Sequence, residues 1–110
     1  MGVFNYISLR DTACPYCKQI RDWTIQFKYG DCWLDRYDLY DKLKWGGNDV
    51  GDPSASIVLV EGIAEEGCSN CHNEIYARIF VDDNIIVSAS LVLKAIDIPL
   101  FLDGDYVIIN

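Results

Sequence analysis

The chain has 110 residues, 51% hydrophobic and 13% aromatic, with 17 acidic against 9 basic side chains and a formal charge of −8. That apolar fraction excludes a disordered chain, and the length suits one core, so a single domain over residues 1–110 is expected. The acidic balance, with no run of Lys or Arg, disfavours a phosphate backbone as partner, and no stretch reaches the roughly 18 apolar residues of a membrane span.

Met1 to Leu9 shows neither the basic start nor the apolar run of a secretory signal, so a cytoplasmic protein is expected. Within it Val3 to Leu9 mixes β-branched and aromatic residues with partial alternation, which predicts a first strand. It leads into Cys14-Pro15-Tyr16-Cys17, a hook expected to turn between two strands. Trp23, Ile25, Phe27 and Tyr29 then alternate with polar residues, a half-buried strand, and Gly30-Asp31 reads as the turn that ends it. Trp33, Tyr37, Leu39, Leu43 and Trp45 fall at odd positions, so Cys32 to Trp45 is also read as strand.

Residues 46–55, opening Gly-Gly-Asn-Asp-Val-Gly-Asp-Pro-Ser, are expected to form a surface loop. Ser56 to Gly62 reads as a buried strand feeding a second hook, Cys68-Ser69-Asn70-Cys71. Beyond it Ile75, Ala77, Ile79 and Val81 alternate on one arm of a hairpin, Asp82-Asp83-Asn84 turns, and Ile85, Val87, Ala89, Leu91 and Leu93 alternate on the other. The tail, with Asp103-Gly104-Asp105 before Tyr106 to Asn110, suggests a final hairpin or a strand added at the sheet edge, where two copies could also pair as a homodimer. The class is therefore mostly β.

Two Cys-x-x-Cys hooks supply four thiolates, and two intervening residues let the backbone curl around an ion so that both sulfurs sit about 2.3 Å from it. Cys14, Cys17, Cys68 and Cys71 are thus the expected ligands of a structural Zn2+. Four protein ligands leave no open position for a water, so the metal would stabilise rather than catalyse. Strand, hook, strand, twice over, resembles the zinc ribbon, which implies a ribbon-like core with an inserted sheet. Two departures stand out: 50 residues separate Cys17 from Cys68, against about 15 to 20 in the usual pattern, and Lys18 and His72 stand where ribbons often have Gly. The opening Met1 to Ile7, both hooks and the Asp31 to Tyr37 segment also look like small proteins encoded by bacteriophages and their hosts. That likeness implies an accessory protein that binds and modulates or inhibits a host protein, and an acidic chain fits a partner with a basic surface.

Other readings use the same residues. Cys14-Pro15-Tyr16-Cys17 is similar to the active site of glutaredoxins, which implies a thiol oxidoreductase with Cys14 as nucleophile and Cys17 as resolving thiol. The strand-patterned segments that follow depart from that fold. Cys68 to His72 satisfies the c-type haem pattern, yet His72 is the only histidine and Met1 the only methionine, which leaves no second axial ligand. Nucleic-acid binding through the hooks would require Arg10, Lys18, Arg21, Lys28 and Arg78 on one face. Cys32 is read as a packed thiol, and Asp35, Asp38 and Asp41 as a solvated face. Trp33, Tyr37, Tyr40 and Trp45 could build a contact surface, with core packing expected to take most of them.

Overall fold

A computed structural model describes residues 4–65, 67, 68, 70–92 and 106–109. Among these there is no helix, and hence none long and apolar enough to cross a membrane. The strands are β1 (Asn5–Ala13), β2 (Ile20–Phe27), β3 (Gly30–Asp31), β4 (Arg36–Tyr37), β5 (Asp49–Val50), β6 (Ile57–Ala64), β7 (Tyr76–Asp82), β8 (Ile85–Val92) and β9 (Tyr106–Ile108). One sheet runs β4-β1-β2-β6-β7-β8, antiparallel except for the parallel β1–β4 pair, and β3 pairs with β5 in a second, small sheet.

Two hairpins carry the large sheet. β1 returns as β2 through the first cysteine hook, and β6 returns as β7 through the second. β2 pairs with the end of β6, Ile25 opposite Ala64, so both hooks emerge at the same end of the sheet. The 50 residues between Cys17 and Cys68 therefore need no separate domain, because β2 carries the chain away from the first hook and β6 brings it back to the same end of the sheet. β9 lies beside Val58 to Val60, on the part of β6 that β2 does not reach.

The sheet is curled, and β1 and β8 come within 8 Å of each other. Its inner face collects Ile7, Ile25, Val58, Val60, Ile79 and Ile86, all fully buried, each contributing about 1.5–3 kcal/mol of hydrophobic stabilisation. A bulge in the β7–β8 pairing turns Ile86 inward and leaves Ile85 and Val87, expected on the same face as Ala89, exposed. The β7–β8 turn is the two-residue loop Asp83-Asn84, with φ of 51° and 64°. Two positive values are what a type I′ turn requires, and they match the right-handed twist of the flanking strands.

Residues 28–56 close the end of the sheet opposite the cysteines. Tyr29 is buried there, its ring edge-on to Trp45 at 5.4 Å and to Tyr106 at 5.2 Å, and its hydroxyl donates to the Asp52 carbonyl at 3.0 Å. Gly51 makes this packing sterically permissible. Its φ is 99°, and a Cβ there would lie 2.2 Å from the Tyr29 ring. Gly51→Ala is expected to cost about 2 kcal/mol, combining overpacking with left-handed backbone strain, read as a lower urea midpoint at unchanged slope.

The structure corrects several sequence expectations. Of Cys32 to Trp45 only Arg36–Tyr37 is strand, with Lys42 in an isolated bridge to Ile85. Leu34 and Tyr40 take φ of 60° and 73°, which breaks the extended path twice, so of the odd-position residues only Tyr37 and Leu43 are buried and Trp45 partly so, while Trp33 and Leu39 are exposed. Gly30-Asp31 is not a turn but β3, paired with β5 inside the expected 46–55 loop. The first strand runs on to Ala13 through a bulge at Arg10-Asp11, where Asp11 has φ 51° and donates its N–H to Asp22 Oδ1 at 3.0 Å. The tail strand is an added edge strand, as expected, and it lies along the stretch of β6 that β2 leaves open. The expected Asp103-Gly104-Asp105 turn and Leu93 lie outside the described residues.

Candidate metal centre

The two hooks share one backbone design. In the first, the Lys18 N–H donates to the Cys14 carbonyl at 3.0 Å and the Cys14 N–H to the Gln19 carbonyl at 2.9 Å. The second repeats both bonds, His72 N–H to the Cys68 carbonyl at 2.8 Å and Cys68 N–H to the Asn73 carbonyl at 3.1 Å. Lys18 and His72 have φ of 68° and 61°. Each hook thus ends on a left-handed residue, a conformation that Gly adopts without cost, which is why both side chains stand at positions suited to Gly.

This geometry aims the thiols inward. Cys14 and Cys68, the first of each pair, are buried, and Cys17 and Cys71 are half-buried. Cys14 Sγ lies 3.8 Å from Cys71 Sγ, and Cys17 Sγ lies 3.6 Å from Cys68 Sγ; all four sulfurs fall within 4.8 Å of one another. A disulfide would put a pair at about 2.05 Å, so these are free thiols. Four sulfurs at about 2.3 Å from a central ion, in a tetrahedron, stand about 3.8 Å apart. The four cysteines could hold one metal ion at that geometry.

The second cysteine of each hook is poised to lose its proton. A hydrogen bond from the Asn70 side chain, aided by the Gln19 backbone N–H, lowers the Cys17 thiol to about 6. Cys71 is lowered chiefly by the Asn73 backbone N–H, with Asn73 Nδ2 donating to its sulfur at 3.4 Å. Burial pushes the Cys14 thiol up, against donation from the Cys17 and Tyr16 backbones. N–H groups pointed at sulfur stabilise the thiolate, the form that binds metal.

Comparison with protein-family models, curated proteins and solved structures finds no match. The centre is therefore read from its own geometry.

Among the residues singled out from sequence, Cys14, Cys17, Cys68 and Cys71 converge, whereas His72 is exposed and outside the cluster. His72→Gly is expected to leave metal content unchanged and raise stability by up to about 1 kcal/mol, because Gly relieves the positive φ. Metal analysis beside a urea titration checks both. Cys32 is buried far along the chain, its thiol donating to the Gly30 carbonyl at 3.4 Å. Cys14, the nucleophile of a glutaredoxin-like reading, is buried, and no helix N-terminus is present among the described residues to activate it. Of the aromatics, Tyr37 is buried and Trp45 packs on the core, while Trp33 and Tyr40 are exposed.

Sequence reasoning missed Asn70 and Asn73 as donors to the thiols, although an Asn within or just beyond a hook is the signal for it. It missed Asn5 as well. That residue is fully buried, and its Nδ2 donates to the carbonyls of Tyr29 at 3.2 Å and Asp31 at 3.1 Å. Its Oδ1 accepts the backbone N–H groups of Trp33 at 3.3 Å and Asp35 at 3.2 Å. One side chain on β1 thereby supplies four hydrogen bonds to the segment after β2. A polar residue in a strand pattern carried no sign of that role.

Proposed function

We propose that this protein is a small binding module whose sheet is stapled by one structural zinc on Cys14, Cys17, Cys68 and Cys71, and which docks as an accessory protein onto a basic surface of a host protein. The observation that carries the metal reading is the sulfur spacing of 3.6 and 3.8 Å across two hooks of matching hydrogen-bond pattern. Zinc fits a closed set of four thiolates, being borderline-soft and content with a tetrahedron. The same closure supports a structural rather than catalytic role, since no ligand position is left for substrate. Docking onto a basic partner is supported by the charge of −8, which would steer a positively charged surface into encounter.

Metal analysis of protein purified without added zinc tests the first half of this reading. One zinc per chain is expected. The second half is tested by retention on a cationic partner surface at low salt and release as salt rises, with insensitivity to salt counting against it.

A further inference from the structure

Beyond the metal centre, three adjacent pairs of large apolar residues are exposed among the described residues, Trp33–Leu34, Leu39–Tyr40 and Ile108–Ile109, and the first stands beside two carboxylates. Trp33 is 60% exposed and Leu34 53% exposed, side by side between β3 and β4. This tip is not a loose loop. The Leu34 N–H donates to the Phe4 carbonyl at 2.8 Å, and the Tyr6 N–H to the Asp35 carbonyl at 2.8 Å. Trp33 and Asp35 both donate their N–H groups to Oδ1 of the buried Asn5. The backbone on both sides of Leu34 is thus tied to β1.

Leu34 has φ 60°, where a γ-branched side chain is strained and Gly is not. A plain turn would be served by Gly. Leu at this position adds both strain and exposed apolar area, and a complementary pocket on a partner recovers the second. Rigid, exposed and apolar together describe a pre-organised anchor, which loses little further entropy on binding.

The surroundings specify the partner's charge. A Cβ on Gly47 would lie 2.8 Å from Trp33 Nε1 and 2.6 Å from Asp31 Oδ1, so indole and carboxylate share one small space. Asp31 stands opposite Asp49 in the β3–β5 pair, two like charges across a ladder that ordinarily repel. Backbone amides hold both carboxylates in place: Asn48 N–H donates to Asp31 Oδ1 at 2.7 Å, and the Gly46 and Gly47 N–H groups donate to Asp49 Oδ1 at 2.9 and 3.2 Å. The nearby cations are engaged elsewhere, Lys44 at 3.8 Å from Asp35 and the Arg36 guanidinium over the Tyr6 ring at 4.6 Å. A partner's Lys or Arg beside the exposed indole would meet two carboxylates and a π face at once.

We infer that the Trp33–Leu34 tip, with Asp31 and Asp49 beside it, is the docking anchor of this protein, and that its partner is a protein segment in which Lys or Arg flanks a large apolar side chain. The inference rests on the binding-module reading and assigns the surface that carries it.

The test is selection of the zinc-loaded full chain against a displayed library of random short peptides, followed by affinity measurement of enriched peptides. Peptides combining Lys or Arg with Leu, Phe or another large apolar residue are expected to be enriched and to weaken as salt rises. Trp33→Ala should then weaken their binding by about 30-fold or more, the loss expected for an interface hot spot. Leu34→Gly should weaken binding as well, yet leave the thermal midpoint unchanged or raised, an outcome a purely structural role for Leu34 does not produce. If basic peptides bind both variants as tightly as the native chain, this surface is wrong while the binding-module reading stands. If no basic peptide is enriched, both fall together.

Discussion

Cys68→Ser is expected to abolish metal binding and, with it, cooperative unfolding. Cys68 is buried at the turn of the β6–β7 hairpin, 3.6 Å from Cys17 on the neighbouring hairpin. At this end of the sheet the β2–β6 pairing ends with the Glu65 N–H donating to the Thr24 carbonyl at 2.8 Å, and nearer the hooks an ion on the four thiolates would join the two hairpins. A structural zinc on thiolates contributes about 10–16 kcal/mol of apparent binding free energy at neutral pH. A domain of this size has a net stability of only about 5–15 kcal/mol, so losing the site removes the fold's margin. Ser offers a poor ligand, and the three remaining thiols, Cys14 buried and Cys17 and Cys71 half-buried, would leave a site one ligand short. The expected readout is a metal-free protein with no sharp thermal transition by near-ultraviolet circular dichroism. Cys32→Ala is the matched control. It should keep its metal and lose only about 1–2 kcal/mol for a vacated buried position.

Asn5→Ala carries the second largest effect, at the opposite end of the molecule and independent of the metal. Its amide donates to the carbonyls of Tyr29 and Asp31 and accepts from the N–H groups of Trp33 and Asp35. Removing the side chain strands these backbone groups where Asn5 itself is fully buried. A buried group left without its partner costs about 1–3 kcal/mol, and partial access of water to the loop side reduces the sum. A loss of about 4 kcal/mol is expected for metal-saturated protein in urea, with metal content unchanged. Asn5→Asp should be no better, because a carboxylate cannot donate to the two carbonyls and would be a buried charge. Retention of native stability by both variants would mean that the segment after β2 is held in some other way.

How much of this was legible in the chain depends on the range of the interaction. Period-2 alternation marked the faces of β2 and β7, because side chains on a half-buried sheet announce their faces locally. On β8 it located the strand but not the face, since a bulge in the β7–β8 pairing buries Ile86 and leaves Ile85 and Val87 exposed. The hooks were equally plain, since the metal-ligand chemistry sits within four residues. What remained hidden was set by partners distant in sequence. The irregular path of residues 32–45 depends on Asn5, about 28 positions upstream of Trp33, and on positive φ at Leu34 and Tyr40, residue types that favour neither. The strand that β9 joins was also hidden: β2 and β9 divide one side of β6 between them, which alternation within Tyr106 to Ile108 cannot express. Which aromatics reach solvent was likewise decided by that path: Tyr37 is carried inward on β4, and Trp33 is left outside by the turn just before it.

In the proposed structure-stabilising role, a single ion on four thiolates joins the two hairpins. Mass spectrometry of the purified chain under non-denaturing conditions, with thiol alkylation before and after chelation, tests it most directly. One zinc per chain is expected, with slow alkylation of all four hook cysteines, which become reactive together when the chelator removes the ion. A metal-free chain with native circular dichroism, or one whose Cys14 and Cys17 react while Cys68 and Cys71 stay protected, would contradict it.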